Sequence, residues 1–332
     1  MRVMISGGAG FIGSHLVDLC LLQGCEVVVV DNLSTGRLEN IDTYIWNRKI
    51  TFVNVDLSDK LMVEKKLVRE LEGRIDVIFH LAALADIVPS IERPYDYHRS
   101  NVEATINLLE VARHYRVSKF VYAASSSCYG LPEVTPTTET ARIDPQYPYA
   151  LTKYLGEEYV LHFGKVYKLP VISLRFFNVF GPRSRTSGQY GAVFGIFLKQ
   201  KLEGKAFTVV GDGKQTRDFT FVTDVANVCL QAAKSQVVQE VFNIGSGGSY
   251  SINYLTSLLG GEVTYIPKRP GEPDCTFADI SKVTRVLGWH PQVKFEEGVK
   301  EVLREIESWR KAPLWDEHSI QEATKSWFSC LS

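Results

Sequence analysis

The succession of apolar runs, glycine turns and amphipathic stretches in this 332-residue chain predicts an α/β fold: a doubly wound parallel sheet with a smaller mixed α/β domain beside it. Three observations predict it. A short apolar strand runs directly into a glycine turn and a helical pattern at residues 3–22. Strand and helix patterns then alternate, and the strands are near-continuous apolar runs, as strands buried on both faces should be. Beyond Asn178 the alternation stops, and glycines, aromatics and basic residues interleave. The expected division is 1–177 for the sheet domain, with a return to it at 223–245, and 178–332 for the smaller domain.

In chain order, residues 3–6 read as the first strand, and Gly7-Gly8-Ala9-Gly10-Phe11-Ile12-Gly13 as the turn ahead of a helix that reaches Leu22. Glycine lets the backbone approach a pyrophosphate, and a helix N-terminus adds N–H groups and a partial positive charge, so this turn is a candidate phosphate cradle. Its spacing is G-x-x-G-x-x-G rather than G-x-G-x-x-G, and a glycine turn alone is weak evidence. Its context supports it. Residues 26–30 form a second apolar strand ending at Asp31, about 20 residues on, where a carboxylate can hold ribose hydroxyls and repel a ribose phosphate. NAD is therefore favoured over NADP. Further units follow: 51–55 into Asp56-Leu57, 75–80 into Leu81-Ala82-Ala83, a helix near 101–115, and 120–124 into Ser125. Ligands of such sheets sit at the carboxyl ends of the strands, so Asp56, Ala82, Asn101 and Ser125 are expected to line one crevice.

The next stretch, Pro148-Tyr149-Ala150-Leu151-Thr152-Lys153, begins a helix with proline in its first turn. It places Tyr149 and Lys153 at i and i+4 on one face. A free phenol, with its pKa near 10, is a poor base at neutral pH, and bringing it down takes about 4 kcal/mol of help from neighbouring positive charge. Lys153, together with an oxidised nicotinamide, is the candidate source. Tyr-x-x-x-Lys is common on any amphipathic helix, so the pair gains meaning only beside the glycine turn and Asp31.

Composition sets the outer limits. With 45% hydrophobic and 23% charged residues, the chain can bury one large core or two adjoining ones, and nothing in it reads as disordered. A formal net charge of −1 with scattered basic residues gives no electrostatic case for nucleic acid or for an anionic membrane surface. The six cysteines form no C-x-x-C pair and read as reduced residues, with no metal site. Met1 leads at once into the first strand, leaving no room for a signal peptide, and no apolar run reaches transmembrane length, so the expected location is cytoplasmic.

Taken together, the glycine turn, Asp31, Asp56-Leu57, His80-Leu81-Ala82-Ala83, Ser125-Ser126-Ser127-Cys128-Tyr129-Gly130, Tyr149 with Lys153, and Leu174-Arg175-Phe176-Phe177-Asn178 resemble the extended short-chain dehydrogenase/reductase family. The nearest likeness is to nucleotide-sugar epimerases and dehydratases of the UDP-glucose 4-epimerase kind, and it covers nearly the whole chain. The resemblance implies a Rossmann-type NAD-binding domain, a nucleotide-sugar substrate and a homodimer. It implies that NAD is held by Gly7, Gly10, Phe11, Ile12 and Gly13, by Asp31 and Asn32, by Asp56 and Leu57, by Leu81, Ala82, Ala83 and Asn101, and by Tyr149, Lys153 and Phe177. Ser125, four residues before the Tyr-Gly pair, becomes the catalytic hydroxyl beside Tyr149 and Lys153. The substrate would be held by Ser125, Ser126, Asn178, Arg217, Arg269 and Thr276. Two arginines on a diphosphate make chemical sense through bidentate pairing, although either one alone is as consistent with a surface ion pair. The homodimer is expected to pair the helices at 101–115 and 149–163, with Leu108, Leu109, Leu155 and Val160 as supporting apolar residues.

Inversion at carbon 4 of a nucleotide-linked hexose is the reaction expected. Dehydratases of this family carry an Asp-Glu pair right after the catalytic hydroxyl, and related decarboxylases a glutamate in the same segment. Here Ser126 and Ser127 stand in those places, and a hydroxyl cannot replace a carboxylate base. A nucleotide-sugar dehydratase, a UDP-glucuronate decarboxylase or epimerase, and a non-catalytic NAD-binding regulator remain as alternatives, the last disfavoured because Tyr149 and Lys153 are both kept. Two departures from the family pattern stand out. Gly195, in Tyr190-Gly191-Ala192-Val193-Phe194-Gly195, replaces a proline in the stretch that reads uracil. Asp86 puts a carboxylate where relatives carry a small neutral residue near the sugar, which argues against an acidic sugar if it faces the pocket. The closing helical patterns at 295–309 and 319–328 contain tryptophans expected to serve as core or interface.

Overall fold

The computed structural model describes residues 1–184 and 193–331. Seven strands, β1 (Arg2–Ser6), β2 (Glu26–Asp31), β3 (Ile50–Asn54), β4 (Val77–His80), β5 (Lys119–Ser125), β6 (Val171–Phe176) and β7 (Glu240–Ile244), make one sheet in the order β7-β6-β5-β4-β1-β2-β3. All neighbouring pairs are parallel, with Met4 opposite Val28 on one side and Ile78 on the other. Because successive side chains alternate faces, Val3, Ile5, Val27 and Val29 enter one core while Met4, Val28 and Val30 enter the other. Each such side chain contributes about 1.5–3 kcal/mol by leaving water, which is why both faces of every central strand read as apolar. The order reverses between β1 and β4, and a crevice opens there at the carboxyl ends of the strands.

The first turn explains why the sheet can pack so closely under its helix. Gly7 has φ +71°, and a Cβ there would lie 2.7 Å from the backbone nitrogen of Ala82; a Cβ on Gly13 would collide with the carbonyl oxygen of Gly7. Only glycine fits either position. The helix Phe11–Leu22 starts at Gly10 with no side-chain cap, so its first N–H groups face the crevice as the sequence predicts. On its outer side it packs against the helix Val222–Lys234, which precedes β7.

A separate aromatic core, including Phe180, Phe194, Phe197, Phe219, Phe221, Phe295 and Trp309, lies outside the large sheet. It is framed by two-stranded pieces: Asn178–Phe180 with Phe219–Phe221, Phe207–Val210 with Val263–Ile266, and Thr216–Arg217 with Tyr250–Ser251. The short strand Asn178–Phe180 is fixed by its parallel partner.

Several expectations need correction. The helical path expected from 101 begins at Pro94, runs through a π-type stretch Arg99–Glu103, and continues as Ala104–Tyr115. Leu108, Leu109 and Val160, expected to support a subunit interface, are buried against the sheet in the core instead. The apolar residues those helices do expose include Leu151 and Tyr159. The closing pattern at 319–328 is two short helices, Glu317–Ala323 and Lys325–Leu331. All six cysteines are free, and no helix among the described residues is long and apolar enough to cross a membrane.

Candidate active site

A cavity of about 700 Å³ runs from the crevice between β1 and β4 toward the aromatic core. Its cofactor end is lined by Gly7, Gly10, Phe11, Ile12, Gly13, Asp31 and Asn32, then by Asp56, Leu57, Leu81, Ala82 and Ala83. The Asp31 carboxylate accepts the amides of Ala9 (3.0 Å) and Leu33 (2.8 Å), which hold it at the end of β2. Burial raises its pKa and these two bonds oppose the rise. Each of its oxygens retains a lone pair for a ribose hydroxyl. Glycines that a Cβ would close, uncapped amides at a helix start and a carboxylate at the next strand end fit the pyrophosphate and ribose of NAD.

Asn101 does not join this lining. Its side chain is buried and fully used: the Oδ1 accepts the Leu84 amide at 2.8 Å, and the Nδ2 donates to the Leu84 carbonyl and the Thr152 hydroxyl, each at 3.0 Å. It fixes the loop after β4 to the helix Pro148–Tyr167, a supporting task that its place near a helix start did not reveal.

That helix begins at Pro148 and presents Tyr149, Lys153 and Glu157 along one face. Ser125, the last residue of β5, caps the short turn Ser126–Tyr129 by accepting the Ser127 amide at 3.2 Å, and its hydroxyl lies 2.8 Å from that of Ser127. It lies near enough to Tyr149 to favour the charged form of that phenol. The Tyr149 phenol sits above its ordinary pKa: burial is the main cause, the Asp86 and Cys128 charges push the same way, and Ser125 opposes them. Lys153 is buried behind the lining, its ammonium 4.4 Å from the centre of the Tyr122 ring. Burial lowers its pKa to about 7, against the raising effect of Glu157. The sequence expectation that Lys153 draws the phenol down is not met by this pair alone, because desolvation disfavours the charged form of both partners.

Glu157 is itself held by Arg175, at 2.5 Å, and by the Ser173 hydroxyl at 2.7 Å. This buried ion pair ties the helix to β6 beneath the tyrosine.

At the far end, Ser126, Phe177, Asn178, Arg217, Arg269 and Thr276 all line the cavity. Arg217 donates to Glu272 at 2.8 Å, and an Arg269 nitrogen lies 3.9 Å from the other oxygen of that carboxylate. Two guanidiniums meeting at the cavity wall suit an anion such as a diphosphate, which arginine pairs with bidentately. The Thr276 hydroxyl donates to Asn178 Oδ1 at 2.8 Å and accepts the Asp218 amide at 3.1 Å, joining two walls of the pocket. Asp86 lines the cavity as well. So do Val193, Phe194 and Gly195, whereas Tyr190, Gly191 and Ala192 of the expected base-reading stretch lie outside the described residues.

Lining residues that were not anticipated include Tyr147, Pro313, Trp315 and Trp327. Tyr147 stacks parallel to Tyr149 with centroids 6.4 Å apart. Trp327, expected as core or interface, faces the cavity while remaining buried. Its helix carries no local motif that would have marked it.

Comparison with known proteins agrees with this geometry. Residues 3–245 match the NAD dependent epimerase/dehydratase family. The UDP-glucose 4-epimerase of Thermotoga maritima, solved with UDP-glucose, is 36% identical with a TM-score of 0.86, covering 93% of this chain and 99% of its own. A UDP-N-acetylglucosamine 4-epimerase from Methanobrevibacter ruminantium, in complex with UDP-N-acetylmuramic acid, is 33% identical, with a TM-score of 0.84 over 92% and 98% of the two chains. A UDP-glucuronic acid 4-epimerase from Bacillus cereus, in complex with UDP-glucuronic acid and NAD, is 31% identical, with a TM-score of 0.83 over 93% and 99%. The chain belongs to the NAD dependent epimerase/dehydratase family and is an NAD-dependent enzyme of the nucleotide-sugar epimerase type.

Proposed function

We propose that the enzyme inverts carbon 4 of a UDP-linked neutral hexose, in the glucose/galactose or the N-acetylglucosamine/N-acetylgalactosamine pair. The observation that carries this reading is that Ser125 and Tyr149 line the same cavity as the glycine turn, with Ser125 followed by Ser126 and Ser127 and not by carboxylates. Such a site can oxidise and reduce one carbinol carbon but lacks the acid and base needed to expel water at the neighbouring carbons.

In this mechanism Ser125 holds the 4-oxygen and Tyr149 takes its proton. NAD, held by the glycine turn and Asp31, would supply a reversible hydride acceptor for carbon 4, so that a 4-keto sugar turned over in the pocket could be reduced on its other face. Lys153, whose pKa burial lowers to about 7, lies one helical turn from Tyr149, and its charge together with that of bound NAD would favour the phenolate as base. Arg217 and Arg269 keep the diphosphate in place, so the sugar can rotate without leaving.

Asp86 supports a neutral sugar. Its charge already acts on Tyr149, and a glucuronate carboxylate in the same pocket would be repelled. Thr276 is small and leaves room beside the sugar, which supports acceptance of a 2-acetamido group. The substrate module at 178–332, with the 223–245 return, belongs to the same reading, as does a homodimer through the helices Ala104–Tyr115 and Pro148–Tyr167. Sedimentation at micromolar concentration tests the dimer.

The functional test is incubation with UDP-, dTDP- and GDP-sugars, read by NMR. Interconversion of C4 epimers of UDP-sugars is expected. Formation of a 4-keto-6-deoxy sugar or a pentose, or binding of NAD without conversion of any sugar, would reject the reading.

A further inference from the structure

We propose that the C-terminal helix Lys325–Leu331 is fastened at the cavity wall and that Trp327 is a positioning residue which aims Arg269 at a nucleoside diphosphate. The proposal rests on the diphosphate reading of Arg217 and Arg269 and is independent of which sugar is attached.

Four contacts lead to it. The Trp327 indole N–H donates to the Pro270 carbonyl at 2.7 Å, next to Arg269 in the chain. The Arg269 guanidinium carbon lies 5.4 Å from the centre of the Trp327 ring, within cation–π range. The Tyr147 ring lies 6.4 Å from the same indole. One residue earlier, the Ser326 hydroxyl donates to Glu92 at 2.7 Å, at the end of the helix Ile87–Glu92 that follows Asp86. Two consecutive residues thus tie the helix to two separate elements: Pro270, next to Arg269, and Glu92, at the end of the helix Ile87–Glu92.

The chemistry of the contact is selective. A seven-residue helix does not hold itself in place, and Trp327 is its only buried residue, 4% exposed. A residue needed only for packing has no reason to commit its N–H to the backbone beside Arg269 while offering that arginine its ring. An aromatic face holds the guanidinium in direction and leaves its charge intact.

The test uses the full chain and UDP as probe, by calorimetry. Trp327→Ala should weaken UDP binding about tenfold. It should also raise KM for the sugar nucleotide by a similar factor, with kcat changed less than threefold. Trp327→Phe, which keeps a π face, should stay within about threefold of wild type, and Trp327→Leu, which fills volume without one, should fall with alanine; if the alanine variant does not fold, the Leu/Phe pair decides. Equal UDP affinity in wild type and Trp327→Leu, or a Phe variant as weak as Leu, overturns the role of Trp327. A wild-type protein that binds no UDP overturns the diphosphate reading beneath it, a result the variants alone cannot produce.

Discussion

The two ends of the cavity are built from different materials. The cofactor end is made of backbone: glycines pressed against carbonyls and amides, an uncapped helix start, and residues at the ends of neighbouring parallel strands. The sugar end is made of side chains from separate stretches, Asn178, Arg217, Arg269, Thr276 and Trp327, joined by hydrogen bonds across two-residue strands and loops. A wall of backbone has no spare volume and recognises what every NAD shares, whereas a wall of side chains can be altered one residue at a time. The cofactor end should therefore tolerate almost no added atoms, and the sugar end should change preference without losing its chemistry.

The sharpest test lies where the two ends meet. Tyr149→Phe deletes the base and keeps the ring that stacks on Tyr147, so kcat should fall by about 100-fold or more while NAD stays bound. Activity within a few fold of wild type, measured by a coupled assay, would show that the reaction does not pass through this phenol. On the cofactor side, Gly13→Ala adds a single methyl against the Gly7 carbonyl, and a loss of about 2–3 kcal/mol in unfolding free energy is expected, together with weaker NAD binding. A variant with unchanged denaturation midpoint and NAD affinity would contradict the idea of a wall without spare volume.

On the sugar side, Thr276→Tyr adds a whole ring, yet should cost about 1–3 kcal/mol only for the N-acetylated substrate, through kcat/KM, and leave UDP-glucose turning over. Equal loss on both sugars would place Thr276 outside the gate and weaken the contrast. The smallest effect is with pH. Because burial holds the Tyr149 phenol above its ordinary pKa, kcat should rise with pH from 6 to 9 as the phenolate forms, and a profile flat over that range would exclude the phenolate as base. The sign for stability is fixed by Lys153. Its folded pKa is below its unfolded one, so between about pH 7 and the ordinary lysine value only the unfolded chain binds the proton, and stability contributed here rises with pH.

This difference in materials also explains what could be read in advance. The glycine turn, Asp31, Asp56-Leu57 and Ser125 were legible because each follows its own strand within a few residues, and a parallel sheet gathers strand ends automatically. Arg217 and Arg269 were placed by likeness to relatives, while their shared carboxylate, Glu272, was not foreseen. Asn101 stood at a plausible address, and only its hydrogen bonds showed that it serves a loop. Leu108, Leu109 and Val160 fit an interface pattern as well as a core pattern, since helical periodicity gives the direction of a face and not what covers it. Trp327 was beyond reach: its partners lie 57 residues away at Pro270 and, through Ser326, 234 residues away at Glu92.

The position of β7 gives the protein a sequence in time. Residue Glu240 pairs with Ile172 on β6, so the edge of the sheet waits for some seventy more residues to be synthesised, and the last wall of the sugar pocket waits for Trp327. Every residue of the glycine cradle, together with Asp31, Ser125 and Tyr149, precedes that point. Chains emerge at about 5–20 residues per second, so on a translating ribosome the residues of the nucleotide cradle are synthesised seconds before the helix Val222–Lys234 that covers the cradle's own helix and before β7 that completes its sheet.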